Sequence, residues 1–270
     1  MSSPAGETDD HELLNRGEIE LQGRIMPASN ATFFGTVTLD GASIDCVYKP
    51  VAGERPLWDF PDGTLARREV AAYVVSEALG WDVVPPTVLR GDAPAGLGMV
   101  QAWREPDVGQ DPVDLVPTGA TPAGYLHVLD AYDGDDRQVS LVHEDSAALR
   151  RMAVFDIVVN NADRKGGHVL AMPDGHRFGV DHGVAFNVED KLRTVLWGWA
   201  RRPLDPEDAA AVRALVDRLA TPTSELATVL GDLLDPDEVL TTRLRCEALL
   251  RRNVMPMPSG GGPRIPWPAF

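Results

Sequence analysis

The chain has 270 residues, with 25 Lys and Arg against 41 Asp and Glu, giving a formal net charge of −16 and a sequence pI near 4.7. So acidic a protein repels nucleic acids and anionic membrane faces, which are held chiefly by basic residues neutralising phosphates. An apolar fraction of 44% and a charged fraction of 24% exclude general disorder, so a core is expected and any phosphate handled here needs a local gathering of cations.

At about 150 residues per domain the length predicts two units, which are equally well two lobes of one fold. Cys46 and Cys246 are the two cysteines, with no Cys-x-x-Cys pair, which fits a reducing compartment rather than a disulfide framework or thiolate metal site. Met1 to Asp10 is polar and acidic, without a signal-peptide pattern, and no apolar run approaches about 18 residues. The expectation is a soluble cytoplasmic protein with no membrane insertion.

From Glu18 to Tyr48 apolar residues alternate with polar ones at Ile19, Leu21 and Ile25, at Phe33, Val37 and Leu39, and at Ile44, Cys46 and Tyr48. Breaks at Pro27-Ala28-Ser29-Asn30 and at Asp40-Gly41, a two-residue hairpin signal, predict an antiparallel meander. Leu65, Val70, Tyr73, Val74 and Ala78 predict a helix over about 64–79, with Thr64 as its cap and Gly80 as its stop. Strands are predicted over 87–90 and 98–103. Residues 105–123, with four prolines, read as a linker or exposed loop. A helix over about 145–159, short strands near 168–172 and 177–180, and further helices follow. Asp205-Pro206-Glu207-Asp208 and Asp235-Pro236-Asp237-Glu238 each combine a capping Asp, a Pro at the first helical position and an early acid. The chain is therefore expected to be α+β: a disordered N-terminus over 1–17, a small antiparallel β-rich N-lobe with one helix over 18–103, a Pro-rich linker over 104–123, a larger, mainly helical C-lobe over 124–255, and a disordered tail over 256–270. Ligands of two-lobed proteins sit preferentially between the lobes.

The segment from Phe155 to Leu170 leaves an apolar helix and places Asn160, Asn161, Asp163, Arg164, Lys165, two glycines and His168 before a strand. A plain connection needs turn formers, not this density of charge. Eighteen residues after Asp163 (181 − 163) stands Asp181-His182-Gly183. Carboxylates at the mouths of neighbouring hairpin strands can share a divalent cation and phosphate oxygens.

In this register the segment resembles the catalytic core of the phosphatidylinositol 3-/4-kinase-like family, including its protein-kinase relatives of HipA type, and the chain is similar to a small soluble member of actinobacterial type. That core carries an Asp, four residues, an Asn, one residue, Asp-Arg, and an Asn five places after the second Asp. Asp156, Asn161, Asp163 and Arg164 match, while His168 stands where the last Asn belongs; Asp181-His182-Gly183 matches the Asp-x-Gly context of the family's metal-binding Asp. The resemblance covers roughly residues 18–200 and is strongest over 155–183. It implies a bilobal, protein-kinase-like fold. Such a fold needs a strand lysine reaching the nucleotide phosphates and a helix glutamate holding it. Lys49, the only lysine before Lys165, and Glu69, 20 residues later (69 − 49), meet both requirements in order.

The resemblance further implies an ATP-dependent phosphotransferase passing the γ-phosphate to a hydroxyl of a protein or soluble small molecule. In that scheme Ser29, Asn30 and Thr32 belong to the turn over the phosphates, which lacks the Gly-x-Gly-x-x-Gly of ordinary protein kinases, and Gln101 lies in the hinge to the adenine beside Val100 and Trp103. Asp163 accepts the acceptor's proton, Arg164 offsets phosphate charge, and His168 and Asp181 hold Mg²⁺ or Mn²⁺, with Asp156 and Asn161 bracing the loop. His168 in place of Asn shifts metal preference towards softer ions such as Mn²⁺, or marks a site without ordinary turnover. His182 reads as a packing residue, and Trp197 and Trp199 as core aromatics. The cations from Arg164 and Lys165 through Arg201 and Arg202 supply the local exception to the acidic charge. Two other readings stand beside this one: a nucleotide-binding pseudokinase acting as a regulatory module, and nucleotidyl transfer on the same fold.

Overall fold

The computed structural model describes residues 9–26, 30–258 and 263–270. Strands β1 (Glu18–Arg24), β2 (Phe33–Leu39), β3 (Ala42–Pro50), β4 (Thr87–Arg90) and β5 (Gly98–Ala102) form an antiparallel sheet in the order β1-β2-β3-β5-β4. The β2–β3 register, from Phe33 opposite Tyr48 to Leu39 opposite Ala42, closes on the Asp40-Gly41 turn, where both residues take positive φ. One face of this sheet buries Val37, Cys46, Tyr48, Val88 and Val100. Helix α1 (Asp10–Arg16) covers that face with Leu14 and is capped by the Asp9 carboxylate. Residues 10–16 are thus helical where disorder was expected, because Leu13 and Leu14 have an apolar surface to bury against.

Helix α2 (Leu65–Leu79) ends, as expected, on Gly80 at φ +68°. Its start differs from expectation. The Thr64 hydroxyl donates to the Pro61 carbonyl, and the Glu54 carboxylate accepts from the first amides, Leu65 N at 3.1 Å and Ala66 N at 2.8 Å. A carboxylate brings both lone pairs and a charge suited to the positive helix end.

The segment expected to be a linker contains β6 (Val113–Pro117), and β7 (Tyr125–Tyr132) and β8 (Gln138–Glu144) follow, forming a three-stranded antiparallel sheet in the order β6-β8-β7. The C-lobe therefore begins in strands. Prolines at the ends of short edge segments left β6 hidden in the sequence. Helix α3 (Ala147–Val159), capped by Ser146, runs through the centre of the molecule. The short hairpin of β9 (Val169–Ala171) and β10 (Arg177–Gly179) follows, then α4 (Pro206–Leu219), α5 (Glu225–Leu233) and α6 (Pro236–Arg252). Asp205 and Asp235 cap α4 and α6 as expected, the latter in a full capping box with Glu238. In the tail expected to be disordered, residues 263–270 are placed: Pro266 is buried and Ile265 packs against the core. Trp199 is buried with its indole N–H donating to Asp145. Among the described residues no helix is long and apolar enough to cross a membrane, and both cysteines are free and buried.

The main core is continuous across the lobes. Ala71, Ala72, Val75 and Leu79 of α2 pack with Leu149, Met152, Phe155 and the apolar residues of α4 to α6. Ala66 and Val70 meet Met99 of β5 on the sheet side. Arg68, 1% exposed, fixes the junction: its guanidinium donates to the Ala185 carbonyl at 2.6 Å and to Glu238 Oε1 at 2.5 Å, and it lies over the Phe60 ring. Arg68→Met is expected to destabilise the fold by about 3–5 kcal/mol, because it strands a buried carboxylate. Urea unfolding measures this, and a loss below about 1 kcal/mol would contradict it.

Candidate active site

Lys49 lies in β3, between two neighbouring strands, and its side chain leaves the sheet towards α2. Its ammonium donates to Glu69 Oε1 at 2.6 Å and to Asp181 Oδ1 at 2.7 Å. The second oxygen of Glu69 accepts from the His182 backbone N–H at 2.8 Å. One buried carboxylate thereby ties a strand of the N-lobe, α2 and the segment after β10. Gly183 completes the approach: a Cβ there would stand 3.4 Å from that of Leu65. Burial alone would lower the Lys49 pKa, but the charges of Asp181 and Glu69 outweigh it and hold the amine protonated. Asp181 is held well below the usual carboxylate range, first by Lys49. It takes φ +63°, a left-handed conformation tolerated by Asp, which turns a half-exposed carboxylate back towards Lys49.

The segment after α3 separates into buried and facing residues. Asn160 ends the helix in the left-handed region, and its side chain donates to the carbonyls of Asn187 and Glu189 while accepting from Lys191 N. Asn161 donates to Asp156 and accepts from the Asp163 backbone N–H. Arg164 is fully buried. It makes paired bonds to Asp156 at 2.9–3.2 Å, donates to the His168 and Val180 carbonyls, and reaches His182 Nε2 at 2.6 Å. The expectation that Arg164 offsets phosphate charge is therefore corrected: all three nitrogens of its buried guanidinium are bonded to α3, to His168 and to the segment after β10. Asp156 and Asn161 do brace that loop, with Thr194 adding a bond to Asp156.

Asp163, Lys165 and His168 are the partly exposed members. Asp163 has a pKa raised chiefly by burial, partly countered by Lys165, whose ammonium is 3.4 Å from Oδ2. His168 Nε2 lies 3.5 Å from Asp181 Oδ2. Burial pushes its pKa down to about 4, so the ring is neutral, and its Nδ1 is buried with no hydrogen-bond partner. His182 is buried and neutral, accepting from Arg164 through Nε2 and stacking edge-on with Phe155. From the sequence, Lys165 was named only as one of the segment's cations and Asn160 only as one of its polar residues, neither with a role of its own.

The N-lobe residues are less well matched. Ser29 lies outside the described residues. Asn30 Oδ1 accepts from Arg55 N at 2.8 Å, Ala31 N donates to the Gly53 carbonyl, and Thr32 is buried with its carbonyl bonded to Ile25 N. Asn30 and Ala31 thereby hold the turn against residues 53–55, with the Ala31 amide turned to Gly53. Gln101 is buried and donates to Thr87, and Val100 is in the sheet core. Trp103 alone keeps an exposed ring, set edge-on to Phe34. A cavity of about 190 Å³ opens at the start of α2, lined by Val51, Glu54, Arg55, Phe60 and Leu65. None of Lys49, Asp163, His168 and Asp181 lines it, and it is smaller than the roughly 300–1,000 Å³ typical of ligand pockets.

For a metal, no group of three His, Cys, Asp or Glu stands at ligating spacing among the described residues. His168 Nε2 and Asp181 Oδ2, 3.5 Å apart, are a two-donor set of one neutral imidazole and one carboxylate. Such a mixed set fits a divalent ion whose remaining positions are filled by phosphate oxygens and water.

No family model matches the chain. Protein Rv2133c of Mycobacterium tuberculosis is 52% identical over 271 residues, covering 97% of this chain and 96% of that protein. The chain belongs to the family of Rv2133c. Phosphatidylinositol 4-kinase gamma 4 of Oryza sativa subsp. japonica is 26% identical over 169 residues, 57% of this chain and 26% of the rice protein. This is distant homology to a kinase that is more than twice as long. Among solved structures, the proinflammatory kinase CtkA of Helicobacter pylori aligns over 90% of this chain and 94% of its own, with a TM-score of 0.43 and 10% identity. The α+β, bilobal architecture and its strand-lysine, helix-glutamate and Asp-x-Gly geometry make the fold kinase-like.

Three imidazoles, His143, His168 and His182, have pKa values lowered by burial below the ordinary 6.5. Below about pH 6.5 the unfolded chain then binds more protons than the fold, so these groups withdraw stability as pH falls towards 4. The urea midpoint is expected to be lower at pH 5 than at pH 7.5. His143→Gln, at a ring nitrogen that accepts from Gly198 N far from the cleft, should flatten that dependence. A slope identical to the parent's would contradict this account.

Proposed function

We propose that the chain is an ATP-dependent phosphotransferase acting on a hydroxyl of a protein or soluble small molecule. The observation that carries the reading is the Lys49–Glu69–Asp181 bridge with Asp163 beside it. The distant kinase homology supports the same class. Lys49, held by Glu69, binds nucleotide phosphates, exchanging part of its pairing with Asp181 for them. Asp163 orients the acceptor hydroxyl and takes its proton at a carboxylate oxygen; partial burial raises the basicity of that oxygen without removing it from solvent. Lys165 replaces Arg164 as the cation facing the transferred phosphoryl group. Asp181 and His168 would hold Mg²⁺ or Mn²⁺, which when bound neutralises phosphate charge. Such transfer needs mainly positioning and charge neutralisation, and these side chains supply both. Arg164, Asp156 and Asn161 act by holding the loop.

Metal-dependent ATP turnover tests the reading, with γ- and α-labelled ATP compared and Mg²⁺ and Mn²⁺ each tried. Asp163→Ala and Asp181→Ala should each lower kcat at least a hundredfold, Asp181→Ala also weakening metal-nucleotide binding. Lys165→Ala should cost roughly tenfold or more. Full turnover in Asp181→Ala would remove the reading. Label transferred only from the α-phosphate would make the chain a nucleotidyl transferase, and nucleotide binding with no turnover in either metal would make it a pseudokinase.

A further inference from the structure

We propose that Phe270 is a positioning residue for the loop that carries Asp163, Lys165 and His168, an inference that rests on the phosphotransferase reading for its catalytic consequence. The inner side of this loop is anchored by Arg164. Its outer part, from Lys165 to His168, is a single 3-10 turn closed by His168 N donating to the Lys165 carbonyl. The outer support comes from residues 263–270. Gly166 N donates to the Ala269 carbonyl at 2.8 Å, and the Phe270 ring lies on the Gly166 α-carbon so closely that a Cβ there would come within 2.6 Å of Cδ1. The absence of a side chain at 166 is what lets the ring seat.

The supporting segment is itself tied to the brace. Thr194 N donates to the Arg264 carbonyl at 3.3 Å, and the same threonine's hydroxyl bonds Asp156, the partner of Arg164. The Arg264 guanidinium lies 5.8 Å from the Trp197 ring centroid, and Pro266 is buried. Residues 263–270 thus touch the loop network at two points, Thr194 and Gly166, and the second lies between the two residues that face the cleft. Losing the ring leaves Arg164 in place but frees Lys165 and His168, which changes geometry at the reacting groups more than it changes the fold.

The test is Phe270→Ala in the full chain, read by hydrogen exchange and by steady-state kinetics. The Gly166 amide, bonded to Ala269, should exchange at least tenfold faster. The kcat for ATP turnover should fall about tenfold with the KM for ATP within twofold, and Phe270→Tyr should restore both readouts. Gly166→Ala, which must displace the ring, should resemble Phe270→Ala, and the double variant should be less than additive. Phe270 is half exposed, so the single variant should stay folded. Unchanged exchange at Gly166 overturns the clamp. Faster exchange with equal or higher kcat overturns the positioning role and makes the segment a cover over the site. A parent without turnover in any metal defeats the phosphotransferase reading instead, and exchange at Gly166 still decides the clamp.

Discussion

Glu69 places a carboxylate where water does not reach, and much of the cleft follows from how that charge is met. Taking an ion out of water costs several kcal/mol, and the attraction of a close partner repays this only when the geometry is good and the remaining lone pairs are bonded. Both conditions hold here. One oxygen meets the Lys49 ammonium and the other a backbone N–H from His182. The pair is therefore strong only as long as three elements, β3, α2 and the segment after β10, keep their places. The same bond that satisfies Glu69 aims Lys49 at Asp181. A stability requirement and a binding geometry are here one interaction.

That requirement explains why α2 is shared. A helix held only by the N-lobe sheet would carry Glu69 with it whenever the sheet shifted. Instead α2 buries Ala71, Ala72, Val75 and Leu79 in the core it shares with α3 to α6, and Arg68 bonds the carbonyl of Ala185 and the carboxylate of Glu238. The loop before α2 adds a further tie: Lys191 donates to Asp59 at 2.8 Å and lies over the Trp58 ring, while Asn187 donates to the Asp59 carbonyl. The N-lobe sheet meets α2 through the smaller cluster of Ala66, Val70 and Met99.

What the sequence made legible follows the range over which each signal acts. Alternation, the Asp40-Gly41 turn and the Asp-Pro helix starts are local, and β2, β3, α4 and α6 lie where they indicate. Lys49 and Glu69 were legible as types in the right order, and they meet. The misses are non-local. Thr64 looks like a cap until Glu54, ten residues earlier, supplies a stronger one. Leu13 and Leu14 order α1 only because a sheet face is waiting for them. The bonds of Asn30 to Arg55 N and of Gln101 to Thr87 are non-local in the same way, and no spacing rule announces them. Arg164 is the instructive case, since a motif fixed its identity and said nothing about which way its fork points.

The division within the loop has a physical logic. Asp156 and Arg164 are both removed from solvent, an arrangement that is weak as a source of net stability and costly to break. Its return is definition. A bidentate pair whose remaining donors take the carbonyls of His168, just before β9, and Val180, just after β10, fixes the open end of the hairpin relative to α3. Backbone position at that end then sets where His168 and Asp181 stand. Neighbouring residues can consequently be left partly solvated: Asp163 and Lys165 need no rigid partners of their own, because the residue between them is immobilised. On the proposed phosphotransferase reading, the charges that would change during transfer stand at the solvent side, where protonation and ion exchange are cheap, and the charges that only hold the loop are buried one residue away.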